Sequence, residues 1–441
     1  MDVAGRRMTV MGLGRHGGGV AAARWLAEQG ALVTVTDLAD AASLGPSIAA
    51  LSDVAIAHWH LGGHEASDFS SADAVVVNPA VRPDHPLLAL ARSHGAALTS
   101  EIELFLARCS ATVIGITGSN GKSSTATMLA GMFQAAGRTT WLGGNIGNSL
   151  LPSLAAIRPT DVVVLELSSF QLAHLSPEAR FPSAAVVTGC TPNHLDWHGT
   201  FSAYAAAKRR LVERLPSGGL AVLNSQANPH ANPHGGELSA WPLPAGVRRI
   251  DPWPLDRVGR LAVSGDHQRA NAALAAAMAE ALGVPAGAIG EALAAFRTLP
   301  HRQEAVATIA GRHFIDDSKS TTPEATLAAL AACAGPTWVL VGGQDKGIAL
   351  EPLCRQLAQH AAGVACYGAL GVKLGAALRA AGARQSIVVE QLIDALDWCW
   401  AHSRPGDAIL LSPAAASLDQ FRDFAHRAEV FRAWIAQRAK P

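Results

Sequence analysis

One stretch limits what this chain can fold into more than any other: Ile114-Gly-Ile-Thr-Gly118-Ser-Asn-Gly121-Lys122-Ser-Ser-Thr125. An apolar run enters a glycine-rich turn, and the turn opens into a helix on Lys122-Ser123-Ser124. This arrangement suits a polyphosphate. Gly118 and Gly121 let backbone N–H groups around Ser119 and Asn120 turn toward phosphate oxygens, and the helix N-terminus adds its positive dipole at the same spot. Lys122 can then reach the β and γ phosphates, and the Ser123 hydroxyl, with Ser124 behind it, can reach Mg2+. The strict G-x-x-x-x-G-K-[ST] spacing is not met, because the upstream glycine is Gly115, so the stretch reads as a P-loop variant. The alternative is a plain strand-turn-helix with a surface lysine. Val113, Ile114 and Ile116 before the turn, with Met128, Leu129, Met132 and Phe133 after it, favour the phosphate reading.

A chain of 441 residues exceeds what one core usually organises, which points to two or three domains of about 100–200 residues each. Hydrophobic residues make up 49% and charged ones 16%, so each domain can bury a core. The 35 basic side chains balance 35 acidic ones, and no net field draws nucleic acid or an anionic membrane. Any anion has to be held by local sites. No apolar run approaches the roughly 18 residues of a membrane span, and Met1 to Arg7 is too short and polar to lead a signal peptide. A soluble, cytoplasmic protein is expected, working as a monomer without nucleic-acid or membrane partners. The six cysteines are scattered without a C-x-x-C pair, which argues against a zinc site and a disulfide framework.

Taken in order, Met8 to Asp37 reads as strand, turn, helix and strand, with Gly12-Leu-Gly14-Arg-His-Gly17 in the turn and Asp37 about twenty residues on. That is the dinucleotide fingerprint, although the glycines can equally serve close helix packing alone. Strands at Ala74 to Asn78 and Ala97 to Thr99 complete a small parallel sheet. A helix over Glu101 to Ala107 leads into the P-loop. Trp141 to Gly147, which contains Asn145, reads as another glycine-rich loop. Asp161 to Glu166 is an apolar strand with a carboxylate at its C-terminal end, where ligands of such sheets sit. Glu166 there reads as a helix cap or, after a P-loop, as a Walker-B-like magnesium ligand. Ala184 to Thr188 delivers His194 and His198 to the same edge. Lys208, on a helix over Phe201 to Glu213, would by itself be a snorkelling lysine. Ser225 to Gly246 reads as loop. Gly265 to Asn271 opens an alanine-rich helix, and Leu299-Pro-His-Arg302 marks a second boundary. Five further strands follow, at His313 to Asp316, Thr337 to Val341, Gly363 to Tyr367, Ser386 to Val389 and Ala408 to Leu411. Two polar loops, Asp316 to Thr321 and Gly342 to Lys346, look ligand-facing. The expectation is an α/β protein of three domains: an N-terminal Rossmann-like domain over 1–98, a central P-loop ATPase-like parallel sheet over 99–298, and a C-terminal Rossmann-like domain over 299–441.

With these residues in view, the chain resembles the Mur ligase family over nearly its whole length, and within it the D-glutamate-adding branch. The resemblance rests on Gly118-Ser-Asn-Gly-Lys-Ser, Glu166-Leu-Ser-Ser-Phe-Gln-Leu172, Asn193-His-Leu-Asp196 with Tyr204 to Lys208, Leu299-Pro-His-Arg302, Asp317-Ser-Lys319 and Leu411 to Phe421. The Asp-Asn-Pro-Arg motif of the diaminopimelate-adding relatives is absent. Gln268, Asn193, Ala428 and Asp37-Leu-Ala depart from the family pattern. The resemblance implies an ATP-dependent amide ligase that joins D-glutamate to UDP-N-acetylmuramoyl-L-alanine through an acyl phosphate, as a step of peptidoglycan synthesis. It implies Lys122 at the γ-phosphate, one Mg2+ at Ser123 and Glu166, and a second at His194 and a carbamylated Lys208. Asn271, Arg302 and Asp317 would hold the adenosine. Gly12, Gly14, Gly17 and Asp37 would hold the uridine part, and Asn145 the pyrophosphate. Thr321, Lys346, Ser417 and Phe424 would receive glutamate, and three domains each holding one reactant imply closure. A folate polyglutamate synthase would lack the N-terminal G-x-G-x-x-G. A dehydrogenase would leave the P-loop unexplained, and a P-loop switch protein has no need of His194, Lys208 and Lys346 together.

Overall fold

The computed structural model describes residues 2–14, 17–147, 149–225, 238–259, 261, 263, 265–345, 347 and 349–439. Three sheets divide the chain. The first contains β1 (Arg7–Met11), β2 (Leu32–Asp37), β3 (His58–Leu61), β4 (Ala74–Val77) and β5 (Ala97–Thr99), in the order β3-β2-β1-β4-β5 and parallel throughout. The second contains β6 (Thr112–Thr117), β7 (Thr140–Gly144), β8 (Val162–Glu166), β9 (Ala184–Val187), β10 (Leu220–Leu223) and β11 (Arg248–Ile250), in the order β11-β10-β9-β6-β8-β7 and again parallel. The third contains β12 (Glu304–Ile309), β13 (Arg312–Asp316), β14 (Thr337–Gly342), β15 (Gly363–Tyr367), β16 (Ser386–Val388) and β17 (Ala408–Leu411), in the order β12-β13-β17-β14-β15-β16.

Every residue of β8 and β9 is buried, as near-continuous Val and Ala runs require when helices cover both faces of a parallel sheet. On one face of the central sheet Met128, Leu129 and Phe133, from the helix Lys122–Ala135, pack with the alanines of the helix Asp266–Ala281. On the other face Leu165, Leu172 and Leu211 join a cluster that continues through Phe105 into Met8, Val10 and Val33 of the first sheet. Each such large apolar side chain gains roughly 1.5–3 kcal/mol on burial, so the first two domains are welded by a shared core. Five of the six cysteines are buried and all are free. No helix of the described residues is long and apolar enough to cross a membrane.

The third sheet has the parallel strands expected of a Rossmann-like domain and adds one antiparallel edge strand, β12, which meets β13 through a turn at Ala310 and Gly311, both left-handed. Other elements differ from expectation. Of the stretch Trp141 to Gly147, expected as loop, residues 141–144 belong to the edge strand β7. It packs so closely on β8 that a Cβ on Gly144 would lie 2.3 Å from the Glu166 carbonyl oxygen, so glycine is required there by close approach as well as by its φ of 93°. β3, β10 and β11 carry no pattern long enough to have been singled out. The expected loop over Ser225 to Gly246 falls largely on 226–237, outside the described residues.

Candidate functional site

β6 ends at Thr117, and the turn beyond it is held from below. Ser119 N–H donates to the Gly189 carbonyl (2.9 Å), and the Ser119 hydroxyl accepts from Thr191 N–H (2.8 Å) and lies 2.9 Å from the Tyr204 hydroxyl. Gly118 has φ 150° and a Cβ there would lie 2.0 Å from Thr188 Oγ1. Gly121 has φ 81° and a Cβ there would lie 2.3 Å from Asn271 Oδ1. Both glycines are therefore needed, for backbone conformation and for space. The helix Lys122–Ala135 starts at this point, with Ser123 and Ser124 buried in its first turn.

Two lysines converge on one carbonyl. Lys122 Nζ lies 3.0 Å, and Lys208 Nζ 2.8 Å, from the Gly118 oxygen. Lys208 is 1% exposed, and burial followed by the neighbouring Lys122 charge holds its amine well below the usual lysine range. Burial also lowers Lys122, against the pull of Glu166. At the end of β8, Glu166 is 2% exposed; burial raises its pKa, but the Lys122 charge and two donors outweigh this and leave the carboxyl below its ordinary value. The donors are Ser123 Oγ (2.6 Å) and Asn145 Nδ2 (2.8 Å). An ionised carboxylate beside a serine hydroxyl is an oxygen set that fits a hard cation such as Mg2+. Asn145, read from sequence as a pyrophosphate contact, is thus joined to Glu166 and is not among the residues lining the N-terminal cavity described below.

His194 sits at φ 54° just before the short helix Leu195–His198, its ring 4.7 Å from Phe170 and 6.4 Å from Tyr204. The Lys208 amine lies 4.6 Å over the same Tyr204 ring, so His194 and Lys208 share a corner beside the P-loop. His198 Nε2 is 2.9 Å from Ser169 Oγ, and burial followed by Lys208 pushes its pKa down to about 4.

A cleft lies between the second and third sheets. Asn120, Gly121, Ser124 and Asn271 line one wall, and Arg302, Asp317, Ser320 and Glu324 the other. Thr322 Oγ1 lies 3.3 Å from Asn120 Oδ1 across it. Arg302 Nε is buried without a hydrogen-bond partner among the described residues, an orphaned donor in the wall of the cleft. Burial raises Asp317 to about 6 even though Ser412 Oγ (2.7 Å) and Gln303 N–H (3.1 Å) donate to it. Lys319, quoted in the sequence motif but given no role there, is lowered to about 8 by burial and then by Arg302, with Glu166 opposing. Its signal was the third polar residue of Asp317-Ser-Lys319. Tyr204 and Thr188 were likewise given no role, since a tyrosine or threonine inside an apolar helix or strand gives no local signal.

A separate cavity of about 670 Å3 opens at the C-terminal edge of the first sheet, lined by Gly12, Gly14, Asp37, Asn78 and His85 among others. Asp37 accepts from Gly14 N–H (3.0 Å) and Ala39 N–H (2.8 Å). Gly17, at φ 86°, caps the following helix rather than lining the space. Of the residues read as glutamate-binding, Thr321 lies half-buried in the loop after β13. Phe424 opens the helix Phe424–Arg438, its carbonyl accepting from Ser318 Oγ (2.7 Å) and its ring 5.2 Å below the Lys319 amine. Ser417 is buried in the loop after β17, which pairs with the Gly342 loop through Gln344 and Ala416. Lys346 lies outside the described residues.

Residues 6–100 match the Mur ligase MurD-like N-terminal domain, 116–234 the Mur ligase middle domain and 301–415 the Mur ligase glutamate ligase domain. The UDP-N-acetylmuramoylalanine--D-glutamate ligase of Roseiflexus sp. (strain RS-1) is 36% identical, over 98% of this chain and 98% of its own. The chain belongs to the Mur ligase family. A ligase of the same name from Frankia casuarinae is 37% identical over 99% of this chain and 95% of its own. Among solved Mur ligases, the UDP-N-acetylmuramate-alanine ligase MurC of Thermotoga maritima superposes with a TM-score of 0.62 at 18% identity, over 98% and 100% of the two chains, which shows the shared fold.

Proposed function

We propose that this Mur ligase joins D-glutamate to UDP-N-acetylmuramoyl-L-alanine at the expense of ATP, a step of peptidoglycan synthesis carried out by a cytoplasmic monomer without nucleic-acid or membrane partners. The observation that carries the reading is the meeting of Lys122, Glu166 and Lys208 at the P-loop with Arg302, Asp317 and Lys319 across one cleft. The full-length relatives with that name support the choice of substrates. The three reactants divide over 1–98 for the uridine substrate, 99–298 for ATP and 299–441 for glutamate.

In the reaction a substrate carboxylate oxygen attacks the γ-phosphorus and ADP leaves. The glutamate amine then attacks the acyl phosphate, giving an amide, phosphate and a released proton. Lys122 leaves the Gly118 carbonyl for the γ-phosphate, and the backbone around Gly118, Ser119, Asn120, Gly121, Ser123 and Ser124 wraps the chain of phosphates. Asn271, Arg302 and Asp317 take the adenosine end. Gly12, Gly14, Gly17 and Asp37 hold the uridine end, and Asn145 orients both Glu166 and the substrate. Thr321, Lys346, Ser417 and Phe424 receive glutamate. Ser123 and Glu166 would hold one Mg2+, and His194 and Lys208 a second; bound there, the ions would supply positive charge against the phosphates. Lys208 serves as its carbamate, formed when the neutral amine adds to CO2 and loses a proton. Phosphate release from ATP tests the whole reading: it should require UDP-N-acetylmuramoyl-L-alanine and D-glutamate together, and release with either one alone, or with L-glutamate as well, overturns it.

A further inference from the structure

The loop after β4 carries two backbone carbonyls that reach across to the central domain. The Trp197 indole N–H donates to the Ala80 oxygen (3.1 Å), and His174 Nε2–H donates to the neighbouring Val81 oxygen (2.7 Å). Ala80 and Val81 line the 670 Å3 cavity of the first sheet, beside Asn78. The loop's own shape is fixed without these two bonds. Asn78 Oδ1 accepts from Ala80 N–H (3.0 Å), the Asn78 carbonyl accepts from Val81 N–H (3.0 Å), and Asn78 Nδ2 donates to the Gly12 carbonyl (3.0 Å). The two side chains therefore add nothing to the loop's internal fold. What they add is its position relative to the next domain.

Their placement decides which part of that domain the loop is tied to. Trp197 stands three residues after His194, on the short helix Leu195–His198. His174 ends the helix Ser169–His174, which begins three residues after Glu166. Phe170, on the same helix as His174, fills the angle between them: its ring meets Trp197 at 5.0 Å and His194 at 4.7 Å, and Trp197 meets His174 at 6.0 Å. Burial lowers the His174 pKa against the opposing pull of the Val81 hydrogen bond, which keeps the ring neutral with its one N–H on the carbonyl. Two donors from the segments that carry Glu166 and His194 thus grip consecutive carbonyls of the loop that bounds the first cavity.

We propose that Trp197 and His174 are positioning residues that hold the substrate loop of the N-terminal domain in register with the Glu166 and His194 edge, so that the carboxylate of a uridine-linked substrate is delivered to the γ-phosphate. The inference rests on the ligase reading. It differs from a role in binding, because the cavity is complete without the clamp while the distance from cavity to P-loop is not. Misplacement of reacting groups by about 1 Å costs of order 10²-fold in rate.

The test uses Trp197→Phe, which keeps the ring on Phe170 and removes the N–H, then Trp197→Phe with His174→Phe, and His174→Gln as a variant that retains a donor. Dissociation constants for UDP-N-acetylmuramoyl-L-alanine without ATP, and for ADP without substrate, are measured beside kcat. The expected result is a fall in kcat of about tenfold for the single change and about a hundredfold for the double, with both dissociation constants within about twofold of the parent and most of kcat restored in His174→Gln. Unchanged kcat overturns the proposal. So does a matching loss in substrate affinity, which would make the two residues part of the pocket. Crystal structures give a readout that needs no activity: in the double variant the Ala80 and Val81 loop should be displaced from the Glu166 and His194 edge relative to the parent, and an unchanged loop position overturns the clamp. If the parent enzyme fails to ligate, the functional reading falls while the crystal structures still decide the clamp. Trp197→Phe alone supplies the answer if the double variant does not fold.

Discussion

Lys208 occupies a place where an ammonium is hard to keep. It is buried, it shares the Gly118 carbonyl with Lys122, and the Tyr204 ring lies at its side. The neutral amine that this environment favours is the form that reacts with CO2, and the product is an anionic oxygen ligand. Lys208→Ala should lower turnover at least about a hundredfold, with part of it restored by high formate or acetate, which can fill the vacated volume with a carboxylate. A carbamate signal after 13C-bicarbonate labelling, present in the parent and absent in the variant, checks the chemistry directly; an active variant ends the idea. Asp317 gives a second residue-scale test. Its pKa is raised from 3.8 to about 6, so the folded protein holds its proton more tightly than the unfolded chain does. Folding stability from this group therefore falls as pH rises through the interval from about 4 to 6. Asp317→Asn should flatten that slope, with a difference of order 2 kcal/mol between the ends of the interval, read from denaturation at several pH values. Parallel curves for parent and variant would show that Asp317 does not bear that burden.

At the scale of elements, β6, β8 and β9 were legible because strands buried on both faces must be apolar along their whole length. The P-loop was legible because positive φ and close approach leave glycine little competition. Gly118→Ala tests this: the added Cβ meets Thr188 Oγ1 at 2.0 Å and backbone atoms of Gly189 at 3.0 and 3.2 Å, and the backbone cannot step aside. A loss of at least about 2 kcal/mol in unfolding free energy is expected, larger than for Gly121→Ala, whose obstacle is the Asn271 side chain. Equal costs would show that loop strain, common to both, outweighs the contacts. What stayed hidden has a different physical origin. β7 was read as loop because two glycines end it, yet the glycine at 144 serves contact with β8 as well as a left-handed backbone at the end of the strand. β12 is half-exposed and pairs on one side only, so neither run length nor alternation marks it. The convergence of Lys122 and Lys208 on one carbonyl joins positions 86 residues apart, which no local pattern encodes.

At the scale of the whole molecule, the passage from the central sheet to the third runs through Leu299 to Gln303, where His301 (φ 62°) and Gln303 (φ 47°) adopt left-handed conformations without being glycine. Such residues cost about 1–3 kcal/mol each and persist only where their surroundings over-determine them. Here the surroundings come from the far end of the chain. Arg432, on the last helix, donates from Nε (3.0 Å) and Nη2 (2.8 Å) to the fully buried Asp316, and from Nη2 (2.6 Å) to Glu304. His301 donates its ring Nδ1–H to Asp316 (2.8 Å) and its backbone N–H to Glu304 (3.0 Å). His301, Glu304 and Asp316 have the spacing of a metal site, but the guanidinium already supplies the positive charge. The next residue after His301 is Arg302, and Gln303 N–H is bonded to Asp317, so the pin on the linker is also a pin on the Arg302 and Asp317 wall of the cleft, proposed above to take the adenosine. Arg432→Met keeps the aliphatic stem and removes the charge. Allowing for the one-third exposure of Arg432, the loss in stability should be about 2 kcal/mol. The KM for ATP should rise several-fold while that for the uridine substrate, proposed to bind on the first sheet, stays near the parent value. A variant that loses stability with no change in the ATP KM would confine Arg432 to packing, and one that raises both KM values together would place its effect outside the linker.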